Sequence, residues 1–189
     1  MDPKNTTTKC TDDIHCFVYD GFCMLRHIDI SKPGIKTGKD LAKAVSDWII
    51  SRSGTSKKII VAFDSYYNEK SLKSRTRSSR YKKGQHYNIK LTTNISSKTW
   101  NQLLSHSKTK SSLVDLFMDQ IFSDLIIQDV EFVVAGNNKT YSNYMKCNNN
   151  HEEADTLIMH CLKLVELGPS ENVYVYGYRY HLSANIFLQ

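Results

Sequence analysis

No apolar run in the 189 residues approaches the ~20 that a membrane-spanning helix needs. The first thirteen residues are polar and lack the apolar core of a secretory signal. Five cysteines (Cys10, Cys16, Cys23, Cys147, Cys161) form no Cys-x-x-Cys pair and show no zinc-ligand spacing. A disulfide or zinc scaffold therefore has nothing to rest on, and reduced thiols in an intracellular protein, nuclear or cytoplasmic, are expected. Phosphate-binding glycine loops, dinucleotide glycine strings and nucleophile elbows are also missing. Acid is scarce in one region only. Between residues 68 and 110 Glu69 stands alone against Lys70, Lys73, Arg75, Arg77, Arg80, Lys82, Lys83, Lys90, Lys98, Lys108 and Lys110.

What is present describes an ordinary globular chain. The hydrophobic fraction is 40% and the charged fraction 23%, enough to bury a core and too apolar for a disordered tail. A single domain over 14–189 is expected, with a flexible N-terminus at 1–13. The net charge of +6 belongs to the basic segment, and the remainder is slightly acidic. Tyr66, Tyr67, Tyr81, Tyr87 and Trp100 are interleaved with those cations. Cations neutralise phosphates and aromatic rings stack on bases, so DNA or RNA is the expected partner. A solvated basic loop is the plainer alternative for any such run.

Strand and helix patterns alternate along the chain. Apolar runs at 14–19 and 59–63 read as strands, the second apolar throughout, as a strand covered on both faces should be. Between them Thr37 can cap a helix with Asp40 three residues on, and Leu41, Ala44, Val45, Trp48 and Ile49 recur at helical spacing up to Gly54. In the basic segment, 71–83 reads as a helix, 89–95 alternates weakly as a strand, and Trp100, Leu103 and Leu104 suggest a short anchoring helix. Ser112 is placed to cap a helix through Leu113, Leu116, Phe117 and Ile121. A third strand over 130–135 ends at Gly136-Asn137-Asn138. Asn150 is placed to cap a helix with Glu153 at the capping-box position, and Ala154, Leu157, Ile158 and Cys161 form its buried stripe. A fourth strand spans 173–178. This order predicts an α/β fold: a mostly parallel central sheet, helices on both faces, and a basic insertion after the second strand.

Four acids fall where such a fold would gather them. Asp20 and Asp64 close the first two strands, and Glu153 and Asp155 open a helix. Ligands of open parallel sheets bind beyond the carboxyl ends of the strands. Carboxylates collected there repel one another unless a hard cation such as Mg²⁺ or Mn²⁺ offsets their charge. The set therefore suggests metal-assisted phosphodiester chemistry with Asp20, Asp64, Glu153 and Asp155 as metal-binding and catalytic residues. Three have a plainer role singly: a strand-end Asp such as Asp20 or Asp64 is often a turn former, and Glu153 suits a helix N-terminus, whereas Asp155 lies in the helix where a capping role has run out. A transition-metal set of His15, Cys16, His151, His160 and Cys161 is weaker, because both cysteines fit apolar stripes.

The run Phe17-Val18-Tyr19-Asp20-Gly21-Phe22 resembles the opening strand of PIN-like nucleases, the superfamily that includes flap endonucleases. Val61-Ala62-Phe63-Asp64-Ser65-Tyr66-Tyr67, Trp100-Asn101-Gln102-Leu103-Leu104 and His151-Glu152-Glu153-Ala154-Asp155-Thr156 are similar, in order, to uncharacterised PIN-like proteins associated with mobile elements. The resemblance implies one divalent ion among Asp20, Asp64, Glu153 and Asp155. It also implies an arch over 68–110 whose Lys70, Lys73, Arg75, Arg77, Arg80, Lys82 and Lys83 bind nucleic acid. A second ion would need two aspartates spaced Asp-x-Asp after the last strand. Arg179 and His181 stand there instead, and Arg is always protonated and cannot ligate a cation. The expectation is thus a degenerate site holding one Mg²⁺ or Mn²⁺ at most, with cleavage weak or lost. The alternative is a non-catalytic module that binds nucleic acid or protein. The chain also stops soon after this strand, without the closing helix the resemblance implies, so a truncated copy is one expectation.

Overall fold

The two apolar runs are neighbours in space. β1 (Ile14–Asp20) and β2 (Lys58–Ala62) pair in parallel, with Phe17 opposite Ile59 and Asp20 opposite Ala62. On the far side of β2 lies β3 (Glu131–Gly136), also parallel. β4 (Lys139–Ser142) folds back antiparallel on β3. β5 (Asn172–Tyr176) pairs in parallel with β1, and the short β6 (Ser183–Ala184) runs antiparallel to β5. Among the described residues the sheet is mostly parallel and six-stranded, in the order β4-β3-β2-β1-β5-β6. The computed structural model describes residues 14–65, 84–143, 153–164, 172–176 and 183–184.

Successive strand side chains point to opposite faces, and each face has its own cover. Tyr19, Ile59, Val61, Phe63, Phe132 and Val134 pack against α2 (Gly38–Ser53) and α4 (Ser107–Leu125), through Leu41, Val45, Ile49, Leu113, Phe117 and Ile121. Cys16, Val18, Ile60, Ala62, Val133 and Ala135 pack against Leu157, Ile158 and Cys161 of α5 (Ala154–Leu164). The helices on both faces thus explain why β2 is apolar at every position from Ile59 to Ala62. Truncating a fully buried member such as Leu113 or Phe117 to Ala would cost roughly 2–5 kcal/mol.

The capping pattern read around α2 is present. The Thr37 hydroxyl accepts the Asp40 N–H at 3.3 Å, and the Asp40 carboxylate accepts the Thr37 N–H at 2.9 Å. Gly54, at φ +54°, ends the helix in the left-handed region that favours glycine. The anchoring helix α3 (Trp100–Leu103) carries its own capping box, from Thr99 and Gln102.

Two expectations differ from the structure. Residues 89–95 form no strand. They are a loop strapped to the start of α2, where Gly38 and Lys39 donate N–H groups to the Thr93 and Leu91 carbonyls, both at 2.9 Å. A helix start has unsatisfied N–H groups, and this loop supplies their acceptors while burying Ile89 and Ile95. α4 begins at Ser107 rather than near Ser112, because His106 Nδ1 accepts the Lys108 N–H at 3.1 Å. Ser112 instead donates its hydroxyl to the Lys108 carbonyl one turn back. Three elements went unread: the one-turn helix α1 (Gly21–Leu25), β4 and the two-residue β6.

Candidate functional site

Parallel pairing of β1 and β2 brings their carboxyl ends to one edge of the sheet, with Asp20 closing β1 and Asp64 two residues past β2. Asp20 is half-buried, and its Oδ1 accepts the Phe22 and Cys23 N–H groups at 3.0 and 3.1 Å. It is therefore the N-cap of α1. Gly21 is required at the next position, because a Cβ there would overlap the buried Phe63 ring. The sequence Asp20-Gly21 thus sets the turn that presents the carboxylate.

Asp64 reaches across the sheet edge to another helix. Its Oδ1 accepts the Ala154 N–H at 2.8 Å, on the first residue of α5. The Glu153 carbonyl accepts the first intrahelical bond, from Leu157 N–H at 3.1 Å. The helix starts at Ala154, with Glu153 just before it; Asn150, the expected cap, lies outside the described residues. Asp155 consequently falls in the first turn, where the helix dipole favours an acid. It is exposed. A sequence reading that denied Asp155 a structural reason is corrected by this shift in the helix start.

The carboxylates feel one another. Burial, above all, raises the Asp20 carboxyl above the usual Asp range, and the charges of Asp64 and Asp155 push it further the same way. The two N–H groups it accepts oppose this without reversing it. Asp20, Asp64 and Asp155 therefore lie at one sheet edge, and Glu153 directly precedes Ala154, whose N–H bonds Asp64.

Proximity is not yet ligation. Among the described residues no three His, Cys, Asp or Glu side chains are grouped closely enough to hold a metal ion. One oxygen of Asp20 and one of Asp64 are also committed to backbone N–H groups. The donor chemistry of these acids suits a hard cation, which takes oxygens at 2–2.6 Å. The transition-metal set fares no better: Cys16 and Cys161 are buried in the apolar layer beneath α5.

No family model, curated protein or solved structure matches this chain.

Several neighbours of the acids were not read from sequence. Buried Ser65 follows Asp64, and its hydroxyl donates to Asn138 Oδ1 at 3.1 Å. Asn137 and Asn138, at φ 47° and 59°, form the two-residue β3–β4 turn, and Asn137 Nδ2 ties it to the Ser111 carbonyl at 2.8 Å. The Asn-Asn pair followed by Lys139-Thr140-Tyr141-Ser142 was the available signal for this hairpin. On the other side, Lys110 Nζ lies 5.5 Å from the centre of the Phe22 ring, which directly follows Asp20-Gly21. A cation of the basic segment thus lies against α1, the short helix that Asp20 caps.

Part of that segment can be placed. Lys90, Lys98, Lys108 and Lys110 are described, and residues 84–114 contain no acid. Two of its aromatics have structural work. Trp100 donates Nε1–H to the Ile28 carbonyl at 2.7 Å, and Lys98 covers Tyr87 at 4.4 Å from the ring centre. Lys70, Lys73, Arg75, Arg77, Arg80, Lys82 and Lys83 lie outside the described residues, as do Arg179 and His181. Among the described residues no helix is long and apolar enough to cross a membrane.

Proposed function

We propose that this chain is a PIN-like nucleic-acid-binding domain with a partial divalent-metal site, whose metal-dependent phosphodiester cleavage is weak or lost. The observation that carries the reading is the meeting of Asp20, Asp64 and the acidic start of α5 at the carboxyl edge of a parallel sheet. That edge is where ligands of such sheets bind, and Lys110 of the acid-poor segment lies over the ring of Phe22, two residues past Asp20. In this reading the lysines and arginines of 68–110 hold phosphates, and one Mg²⁺ or Mn²⁺ at most is drawn to the carboxylates.

A second reading is favoured by a specific observation. Asp20 and Asp64 both cap helices, so each has a reason to be present without any catalysis. The competitor is therefore a non-catalytic module that binds nucleic acid or protein on the same fold. A cleavage assay with Mg²⁺ and with Mn²⁺, on flap, single-stranded and duplex substrates, separates the two. The diagnostic substitution is Asp64→Asn, which keeps an oxygen acceptor for Ala154 while removing the charge. Turnover abolished by Asp64→Asn in a folded protein supports the enzyme. Binding that survives both EDTA and Asp64→Asn, without turnover, supports the module.

A further inference from the structure

Residues 84–87 of the basic segment lie along the start of α4. A Cβ at Gly84 would come within 2.6 Å of the Ser105 carbonyl oxygen, so the two backbones touch there. Tyr87 donates its N–H to the buried Thr109 hydroxyl at 2.8 Å. Between these contacts the rings of His86 and His106 lie 5.1 Å apart, centre to centre. His86 is exposed and His106 half-buried. Ile89, buried two residues beyond Tyr87, anchors the chain past this point.

The cap of α4 is the unusual part. Its acceptor is His106 Nδ1, which takes the Lys108 N–H at 3.1 Å and must therefore carry no proton. A Ser, Thr or Asn cap keeps its oxygen acceptor at any pH, whereas a protonated imidazole has none. Charging His106 then strands the Lys108 N–H and sets a positive charge at the positive end of the helix dipole. It also faces Lys108 on its own helix and His86 on the loop, a second imidazole that charges in the same pH range. Lys98, at 4.4 Å from the centre of the Tyr87 ring, is a further cation on this side, and residues 84–114 contain no acid to offset any of them. Burial first, then His86 and Lys108, hold His106 below the usual His range.

We infer that His86 and His106 form a proton-operated latch, which holds residues 84–87 on the start of α4 while the rings are neutral and releases them when the rings are charged. The closed form binds the His106 proton less tightly than the open form. The latch is therefore fully closed above the ordinary His value of about 6.5, and it opens as pH falls from there through the lower value of the closed form. Residues 84–87 belong to the segment proposed to hold nucleic acid, so the latch ties that grip to pH. The latch itself is a property of the fold, and its test needs no nucleic acid.

The test is amide hydrogen exchange of the full chain at pH 7.5 and pH 5.5, corrected for intrinsic exchange and read on peptides covering 84–90 and 105–112. On acidification the wild type should lose roughly five- to tenfold protection in these two peptides, the scale of a lost cap, while α2 and β2 keep theirs. His106→Asn supplies a cap that does not titrate, so it should stay protected at both pH values. His106→Ala should be unprotected at both; should it fail to fold, wild type and the Asn variant still decide. The His106 imidazole signal, identified by its loss in His106→Asn, should titrate below the ordinary His value and move up in His86→Gln. Equal protection at the two pH values in wild type overturns the latch. So does a loss in His106→Asn that matches wild type, since another group would then be titrating, or a loss spread evenly over the sheet. A His106 signal that titrates at the ordinary value, unmoved by His86→Gln, overturns it as well, and each of these results leaves the proposed function standing.

Discussion

Asp64 has a structural duty and a proposed chemical one, and two substitutions at that position pull them apart. Its Oδ1 accepts the Ala154 N–H at 2.8 Å, an N-terminal donor of α5 that has no intrahelical partner. Losing such a cap costs about 1 kcal/mol, within a range of roughly 0.5–2. The half-buried setting of Asp64 puts Asp64→Ala toward the upper part of that range. For a chain of this size each kcal/mol moves the melting temperature by about 2–4 °C, so Asp64→Ala should melt roughly 3–8 °C lower. Asp64→Asn keeps an oxygen acceptor and removes a charge that presses on Asp20, so it should stay within about 0.5 kcal/mol of wild type. Urea and thermal unfolding followed by circular dichroism, in EDTA, measure all three proteins without metal effects. An Ala variant as stable as wild type, or an Asn variant as unstable as Ala, would refute the argument that Asp64 holds the start of α5.

Asp20→Asn should stabilise the protein at pH 7. The folded chain holds the Asp20 proton more tightly than the unfolded chain, chiefly because the carboxyl is buried, so stability falls as pH rises from the usual Asp range through the raised folded value. The gain should shrink toward zero below the usual Asp range, and urea midpoints from pH 3 to 7 would show it; a gain independent of pH would contradict it. Gly21→Ala should destabilise by about 1–3 kcal/mol or more, because its methyl must displace the buried Phe63 ring, and an unchanged melting temperature would disprove that contact. Arg179→Asp together with His181→Asp should strengthen Mg²⁺ or Mn²⁺ binding in calorimetric titration. Equal affinity in the two proteins would mean that these positions never belonged to the site.

Much of this fold was legible because its signals were local and redundant. The run from Ile59 to Phe63 could hardly be anything but a strand covered twice, and Thr37 with Asp40 announced α2. The acid edge followed from parallel pairing, which sends the ends of β1 and β2 to the same side. The misses are places where a partner distant in sequence decides the local structure. Residues 89–95 alternate like a strand, yet the open N–H groups of α2 draw their carbonyls into a loop. Ser112 looks like a cap, but His106 starts the helix earlier. The bond from Ala154 to Asp64 spans ninety residues, and no pattern around Asn150 could have disclosed it. β4 was hidden because Lys139-Thr140-Tyr141-Ser142 is short and polar, and its Asn-Asn turn carried the signal instead.

The central claim is that this chain binds nucleic acid through a basic segment set beside an acid edge. Its most direct test is equilibrium binding of labelled single-stranded and duplex oligonucleotides by the wild-type protein across 50–200 mM salt. If six or more phosphates are neutralised, affinity should fall by roughly 10³-fold or more over that range, through counterion release. Replacing Arg75, Arg77 and Arg80 together by Ala should flatten the slope by about two to three units without lowering the unfolding midpoint. No measurable binding at 50 mM salt, or an affinity that does not change with salt, would contradict the account.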